Sequence, residues 1–410
     1  MTAFRLAVVN SHPIQYAAPL YAYLDADPEL ELTALYCSDY SLRGGRDAGF
    51  GREVAWDVDL LGGYRSVFLG ERAKTRSIFG FWSLVVPELW REIRSGRYDA
   101  IVLHGYAYAA FVLAFIAAKS RGIPVLMRSE THLRLQRPGW KRALRDGVLR
   151  IAYRFVDGFL AVGSTNRDYY RSLGIADARI HLVPYTVDNA RFMAASRLSP
   201  DEREAMRREL GLADGHPVVM FASKFQRRKH PEAVLRAAAL LRDRGQPVSV
   251  LMVGAGEMDA ELRALASSLA LEGVVFTGFV NQSALPRVYA VADVFVLPSA
   301  NEPWGFIINE VMCAAVPVVV SEDCGSVPDL VHDGDNGRLM RPGDPATLAE
   351  ALADILHDPA RCARMGRRSR EIVSTWDYER CRQGVLAAVH ALRANRATGA
   401  QAHGVGKGAA

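Results

Sequence analysis

Short runs rich in Val, Ile and Leu recur along the chain, and most are followed by a segment whose apolar positions return at helical spacing. In the first half the runs are FRLAVVN, ELTALYC, DAIVLHG, PVLMRS, GFLAVG and IHLVP. Helices are predicted over Trp82–Ile93, Tyr108–Lys119 and Trp140–Phe155. The second half repeats the scheme with PVVMFAS, VSVLMVG, GVVFTG, VFVLPS and PVVVSE. Strands apolar on both faces, each leading into a helix, predict parallel sheets covered on both sides. The alternation breaks after HLVPYTVD, where residues 189–215 are charged and carry no strand pattern, so a linker is predicted near residues 186–200. The expected fold is α/β, with two doubly wound Rossmann-like domains facing each other across a cleft. They cover residues 1–188 and 189–376, a helix at about 377–393 returns to the first domain, and the small-residue, Gly-rich stretch 394–410 is expected to be disordered.

In open α/β sheets, ligands bind beyond the carboxyl ends of the strands, which directs attention to the loops there. One of them, NEPWGFIINE, sets Glu302 and Glu310 around an apolar turn. Gly305 permits close approach of backbone to a ligand, and a helix starting at Gly305 or Phe306 would aim its free N–H groups into the cleft. Ionised carboxylates accept paired hydrogen bonds from vicinal diols, which suits a sugar and a ribose. A capping glutamate followed by a surface acid would have the same spacing. A second loop, ASKFQRRKHPE, offers Lys224 directly after a strand and Lys229 before a helix opened by Pro231. Two ammonium groups on one cleft-facing loop would grip a departing diphosphate, with Arg227 and Arg228 beside them. A solvated basic loop accounts for them equally. Gly254 and Gly256 in VLMVGAGE suggest a dinucleotide fingerprint, but Asp259 stands where its third glycine belongs, so a tight strand-to-helix turn is the better reading and an NAD enzyme is a distant alternative.

Taken in order, SKFQRRK, VLMVGAGE, VVFTGFV, the long run from YAVADVFVLPS through NEPWGFIINE to VPDLV, and DGDNGRLM make residues 218–342 resemble the donor-binding domain of glycosyltransferase family 4, retaining enzymes of GT-B fold with a Glu-x7-Glu element. The resemblance implies a nucleotide diphosphate sugar as donor and a hydroxyl acceptor, with no cofactor, no metal and no nucleic-acid partner. It places Glu302 at the donor sugar and Glu310 at the ribose. Lys224 and Lys229 then hold the diphosphate, and backbone N–H groups of Trp304, Gly305, Phe306 and Ile307 meet sugar hydroxyls. Gly278 and Val280 border the base, with Gly254 near a phosphate. Lys224 stands where many relatives carry Arg, so a point charge replaces a bidentate fork. The first half matches less tightly: NSHPIQY lacks the paired glycines many relatives carry after the first strand. His12, Gln15 and His132 are therefore acceptor-side candidates, and Glu130 and His104, at two strand ends, are candidate catalytic groups. A GT-B epimerase or hydrolase, or a non-catalytic nucleotide-sugar-binding subunit, are the competing readings.

Two stretches remain open on sequence. The loop Ser38–Trp56, rich in Gly, Arg and aromatic residues, is either an acceptor lid or an ordinary insertion. The helix GWKRALRDGVLRIAYRF carries Trp140, Leu144, Val148, Ile151 and Phe155 on one stripe. That stripe is read as core-facing, with docking on an anionic membrane as the alternative. Composition changes little: 410 residues, half of them apolar and 23% charged, fit two ordinary globular domains, and a net charge of +5 suits an anionic small molecule or lipid surface without demanding nucleic acid. Five scattered cysteines without a Cys-x-x-Cys pair argue against a disulfide framework or zinc site. No apolar run is long enough for a spanning helix, and the N-terminal one is short for a signal peptide, so the expectation is a cytoplasmic protein, peripheral at most to the inner face of a membrane. Glycan or glycoconjugate synthesis is the expected setting.

Overall fold

The computed structural model describes residues 2–44, 46, 47, 49–69, 78–135 and 139–404. The first half is built from β1 (Phe4–Asn10), α1 (Ala18–Asp25), β2 (Leu30–Tyr36), a small hairpin of β3 (Arg46–Asp47) and β4 (Arg52–Glu53), and β5 (Arg65–Phe68). There follow α2 (Glu88–Arg94), β6 (Ala100–His104), α3 (Ala109–Lys119), β7 (Val125–Ser129), α4 (Gly139–Ala152), β8 (Gly158–Ala161), α5 (Ser164–Ser172) and β9 (Ile180–Leu182). Apart from the hairpin, the strands form a seven-stranded sheet in the order β5-β2-β1-β6-β7-β8-β9, parallel at each pairing. Helix α2 starts later than the sequence suggests. Pro87 restricts the residue before it, and the segment ahead of Glu88 holds a single 3-10 turn at Phe81–Ser83.

The second half continues through α6 (Asn189–Ala195), α7 (Pro200–Glu209), β10 (Val218–Ala222), α8 (Pro231–Asp243), β11 (Ser249–Val253), α9 (Asp259–Ser268) and β12 (Val274–Gly278). It is completed by α10 (Leu285–Ala290), β13 (Val294–Leu297), α11 (Phe306–Cys313), β14 (Val318–Ser321), α12 (Val327–Leu330), β15 (Gly337–Met340), α13 (Pro345–Leu356) and α14 (Pro359–Ser374). Its six strands run β12-β11-β10-β13-β14-β15, all parallel. The edge strands β5 and β15 were not among the expected ones, being short and interrupted by Arg65 and Arg338.

Alternate residues of each strand feed cores on opposite faces. In the first sheet, Val9, Leu103 and Met127 pack under α2, α3, α4 and α5, while Leu6, Val102 and Leu126 pack under α1 and the last helix, α15 (Tyr378–Gly404). The chain thus crosses to the second half once and comes back. Helix α15 seals the return through Cys381, Val385 and Val389, and its Arg382 bridges Asp27 at 2.6 Å. It continues as helix through Gly404, so the expected disorder does not begin at residue 394; residues 405–410 of that stretch lie outside the described residues. Among the described residues, all five cysteines are buried free thiols, and no helix is long and apolar enough to cross a membrane.

Candidate active site in the interdomain cleft

Between the carboxyl ends of the two sheets lies a cavity of about 740 Å³. The second half lines it with the loop after β10, the turn after β11 and the start of α11; the first half contributes the loop after β1 and part of the Ser38–Trp56 loop.

The loop after β10 carries Lys224 and closes in a 3-10 turn, Arg227–Lys229. Residue His230 then adopts φ 49°, a left-handed conformation unusual for a residue with a Cβ, before Pro231 opens α8. That turn drives the Lys229 side chain inward, where it is buried and hydrogen-bonds the Glu302 carboxylate; Arg228 stands 3.7 Å from the same oxygen. Glu302 is reached through a second left-handed residue, Asn301, at φ 53°. Both members of the ion pair therefore sit beside strained backbone, as functional loops often do. The glycines of the turn after β11 have a plain geometric task. A Cβ on Gly254 would lie 2.0 Å from the Ser223 carbonyl oxygen, and one on Gly256 2.6 Å from that of Phe225. Their absence of side chain lets this turn nest against the lysine loop, and no dinucleotide fingerprint is needed to explain them.

Gly305, at φ 83°, forms the N-cap of α11, so Phe306 and Ile307 present the helix N-terminus to the cavity. One turn on, Glu310 is almost wholly buried and accepts a hydrogen bond from the Tyr289 hydroxyl at 2.6 Å, with Gln282 Nε2 at 3.5 Å. Tyr16, from the loop after β1, stacks on the Phe306 ring at 4.2 Å between centroids and brings its hydroxyl towards the same acid. Burial raises the Glu310 carboxyl above the ordinary range, and the hydroxyl and amide donors around it only partly offset that.

The cavity walls thus include Lys224, Lys229, Glu302, Gly305, Phe306 and Ile307, and further along Glu310, Val280, Gly254, His12 and Gln15. Five other expected residues are not among those lining the cavity, though of Trp304 only the backbone N–H was expected there. The Trp304 ring is buried away from the cavity: its Nε1–H donates to Asn309 Oδ1 at 3.0 Å, and it packs on Gly163, where a Cβ would come within 2.3 Å. Trp304 is thereby an anchor between the halves, and Gly278 likewise does not line the cavity. His132 is buried and donates from Nε2 to the carbonyl of Glu302 at 3.2 Å, steadying the acid's backbone instead of facing the cavity. Glu130 is exposed and is not among the residues that line the cavity. Desolvation first, then the charge of Glu302, raises its carboxyl above the usual range, with Arg228 acting oppositely.

His104 is set back from the cavity. Its Nε2 lies 3.2 Å from the Tyr21 hydroxyl, which already donates to Asn10 at 3.0 Å, so the imidazole must be the donor. A little of the ring reaches the surface, but burial and then the charge of Arg128 depress it to about 3. It stays neutral at physiological pH, which removes it as a general acid. The unfolded chain binds this proton below pH 6.5 while the native one does not, so stability falls as pH drops from there towards 3. His104→Asn is expected to cancel about 2 kcal/mol of the stability difference between pH 7 and pH 5, read from urea unfolding at both values. Identical pH slopes for the two proteins would refute the assignment.

The Ser38–Trp56 loop is more than an ordinary insertion. Phe50 and Trp56 pack on Phe279 at 4.9 and 6.2 Å, Asn281 donates to the Ala55 carbonyl at 2.7 Å, and Asp57 just beyond accepts from Ser283. It closes over the Gly278–Val280 turn; residues 45 and 48 lie outside the described residues. Sequence reasoning missed these contacts, and also Tyr16, Gln282 and Tyr289, because each joins segments far apart in the chain.

Comparison with known proteins agrees with this architecture. Residues 202–372 match the family described as glycosyl transferases group 1, and residues 15–186 match the glycosyl transferase 4-like domain. A D-inositol 3-phosphate glycosyltransferase of Streptomyces avermitilis is 31% identical over 303 residues, 69% of this chain and 63% of that protein. A GDP-mannose-dependent alpha-(1-6)-phosphatidylinositol monomannoside mannosyltransferase of Mycolicibacterium smegmatis is 33% identical over 223 residues, 52% of this chain and 56% of that one. The matches span less than two thirds of either relative. HepE of Anabaena, solved in complex with UDP, superposes with a TM-score of 0.72 at 19% identity, covering 95% of this chain and 99% of that one.

Proposed function

Since the chain belongs to glycosyltransferase family 4, of GT-B fold, we propose that it transfers a hexose from a nucleotide diphosphate sugar to a hydroxyl acceptor with retention at the anomeric carbon. The observation that carries this reading is the layout of charge along one cavity. The Lys229–Glu302 pair with Arg228, the N-terminus of α11 and Glu310 all line it. A diphosphate lies against the ammonium groups and the helix N-terminus, its ribose reaches Glu310, and its sugar faces Glu302. As the bond from the anomeric carbon to phosphate oxygen breaks, negative charge grows on that oxygen, and Lys224 and Lys229 stabilise it. The acceptor hydroxyl bonds to the same face of the carbon and passes its proton to the departing phosphate. The scheme invokes no enzyme nucleophile. Lysines, Arg228 and a helix dipole do the electrostatic work usually given to a divalent cation, and no metal enters it.

The relatives named above act, by name, on inositol phosphate and phosphatidylinositol mannoside acceptors, which supports a polyol or glycolipid hydroxyl as acceptor here. The first test is thermal stabilisation by UDP, GDP, ADP and dTDP and their sugars. One nucleotide family, held at about 100 times its dissociation constant, is expected to add roughly 2.7 kcal/mol. No response to any of them from folded protein would remove the donor assignment.

A further inference from the structure

Helix α4 exposes the apolar stripe that the sequence suggested was core-facing. Trp140, Leu144 and Ile151 are 68%, 65% and 62% exposed, and Val148 and Phe155 are exposed to a similar degree. The four on α4 fall within an arc of about 80° at ~100° per residue, and Phe155 ends the 3-10 turn that follows. The helix docks on the core by its opposite side, through Leu149 and, in the 3-10 turn that follows, Tyr153. Periodicity shows that one side is apolar; two short apolar sets lie on this helix, and the smaller one is inside.

The polar flanks of the stripe are basic. Lys141 borders it on one edge and Arg154 and Arg150 lie beyond the other, all exposed, while the segment's single acid, Asp146, pairs inward with Arg145 at 2.8 Å. Lys141 lies over the Trp140 ring, 5.4 Å from its centroid. An exposed stripe bearing Trp and Phe with Lys and Arg along both edges matches the boundary between lipid headgroups and acyl chains, and the positive flanks select anionic lipid. On the same side of the sheet, Val112 and Ile116 of α3 and the nearby Trp82 are also exposed.

The helix is tied to the cleft. Arg142 donates to the carbonyl of Leu133, and its neighbour Arg134 reaches the carbonyl of Glu322 in the donor-side half at 2.5 Å. One residue before Leu133, His132 holds the backbone of Glu302. We propose that α4 seats the first domain on an anionic bilayer, so that the cleft opens towards a membrane-anchored acceptor whose hydroxylated headgroup stands at the lipid surface. The inference rests on the transferase reading above for the acceptor's role, whereas the membrane contact itself does not.

The test is flotation of the whole chain with vesicles of phosphatidylcholine alone and of equimolar phosphatidylcholine and phosphatidylglycerol. Binding is expected to the anionic vesicles, roughly tenfold or more above neutral ones, and to weaken as salt rises. Leu144→Glu with Ile151→Glu should lower it about tenfold or more, while melting temperature and nucleotide stabilisation stay unchanged, since both side chains are exposed. Brominated acyl chains should quench part of the tryptophan fluorescence, and Trp140→Phe should reduce that part, the remainder coming from Trp82. Absence of binding to anionic vesicles, or equal binding by the double variant, overturns the proposal. So does a concentration-dependent dimer that the same substitutions dissolve, since the stripe would then serve a second copy of the chain. Nucleotide stabilisation is measured without lipid, so failure of the donor reading would show there and not in flotation.

Discussion

Lys229→Ala is expected to lower the turnover of sugar transfer by about 10²–10³-fold at saturating donor, the loss seen when one preorganised donor to a developing negative charge is removed. The ammonium is buried, and its carboxylate partner and the left-handed turn at His230 fix its direction, so little reorganisation accompanies the growth of charge on the leaving phosphate. The variant should fold, because Arg228 remains near Glu302 at 3.7 Å and leaves the acid partly compensated. Steady-state kinetics separate the possibilities. A fall in kcat places the lysine's work in the transition state; a rise in KM with kcat intact would mean it only binds, and the proposed role would be wrong.

Glu310→Ala is expected to lose about 1.5–3 kcal/mol of binding for hydrogen bonds to a charged group, cutting the roughly 2.7 kcal/mol of stabilisation by the wild type's nucleotide to about 0.3–1.3 kcal/mol at the same ligand concentration. It also has a structural cost: the buried Tyr289 hydroxyl loses its acceptor, at about 1–3 kcal/mol of folding stability. Glu310→Gln keeps one oxygen for Tyr289 and separates the two effects, with a near-normal melting temperature but weakened nucleotide binding. The raised carboxyl adds a pH signature. Ribose hydroxyls favour the ionised acid, so affinity should fall with decreasing pH earlier than for an ordinary carboxylate. Isothermal titration across that range, with unchanged affinity in Glu310→Gln, would exclude contact between this acid and the ribose.

The second half was legible in sequence because its information is local. Each strand is a continuous apolar run; Lys224, Lys229 and Glu302 lie on the loops that such strands must end in, and Glu310 on the first turns of the helix that follows one of them. What sequence withheld is the direction of side chains and the meeting of distant segments. His104 ends a strand as a cleft residue would, yet its ring turns to Tyr21 and Arg128. Trp304 sits in the site loop, but its bulk fills the space left by Gly163 in the other half. The tyrosines around Glu310 come from positions 16 and 289, and no local pattern marks either. On α4, hydrophobic spacing identified a face and left its neighbour undetermined.

The return of α15 to the first domain has a consequence for the order of synthesis. Residues 189–376 are contiguous and can condense as soon as they have left the ribosome. The first sheet cannot finish, because one of its faces waits for Cys381, Val385 and Val389, which emerge after everything that lines the donor side. Until then Leu6, Val102 and Leu126 lack part of their cover, and the half translated first is the half completed last.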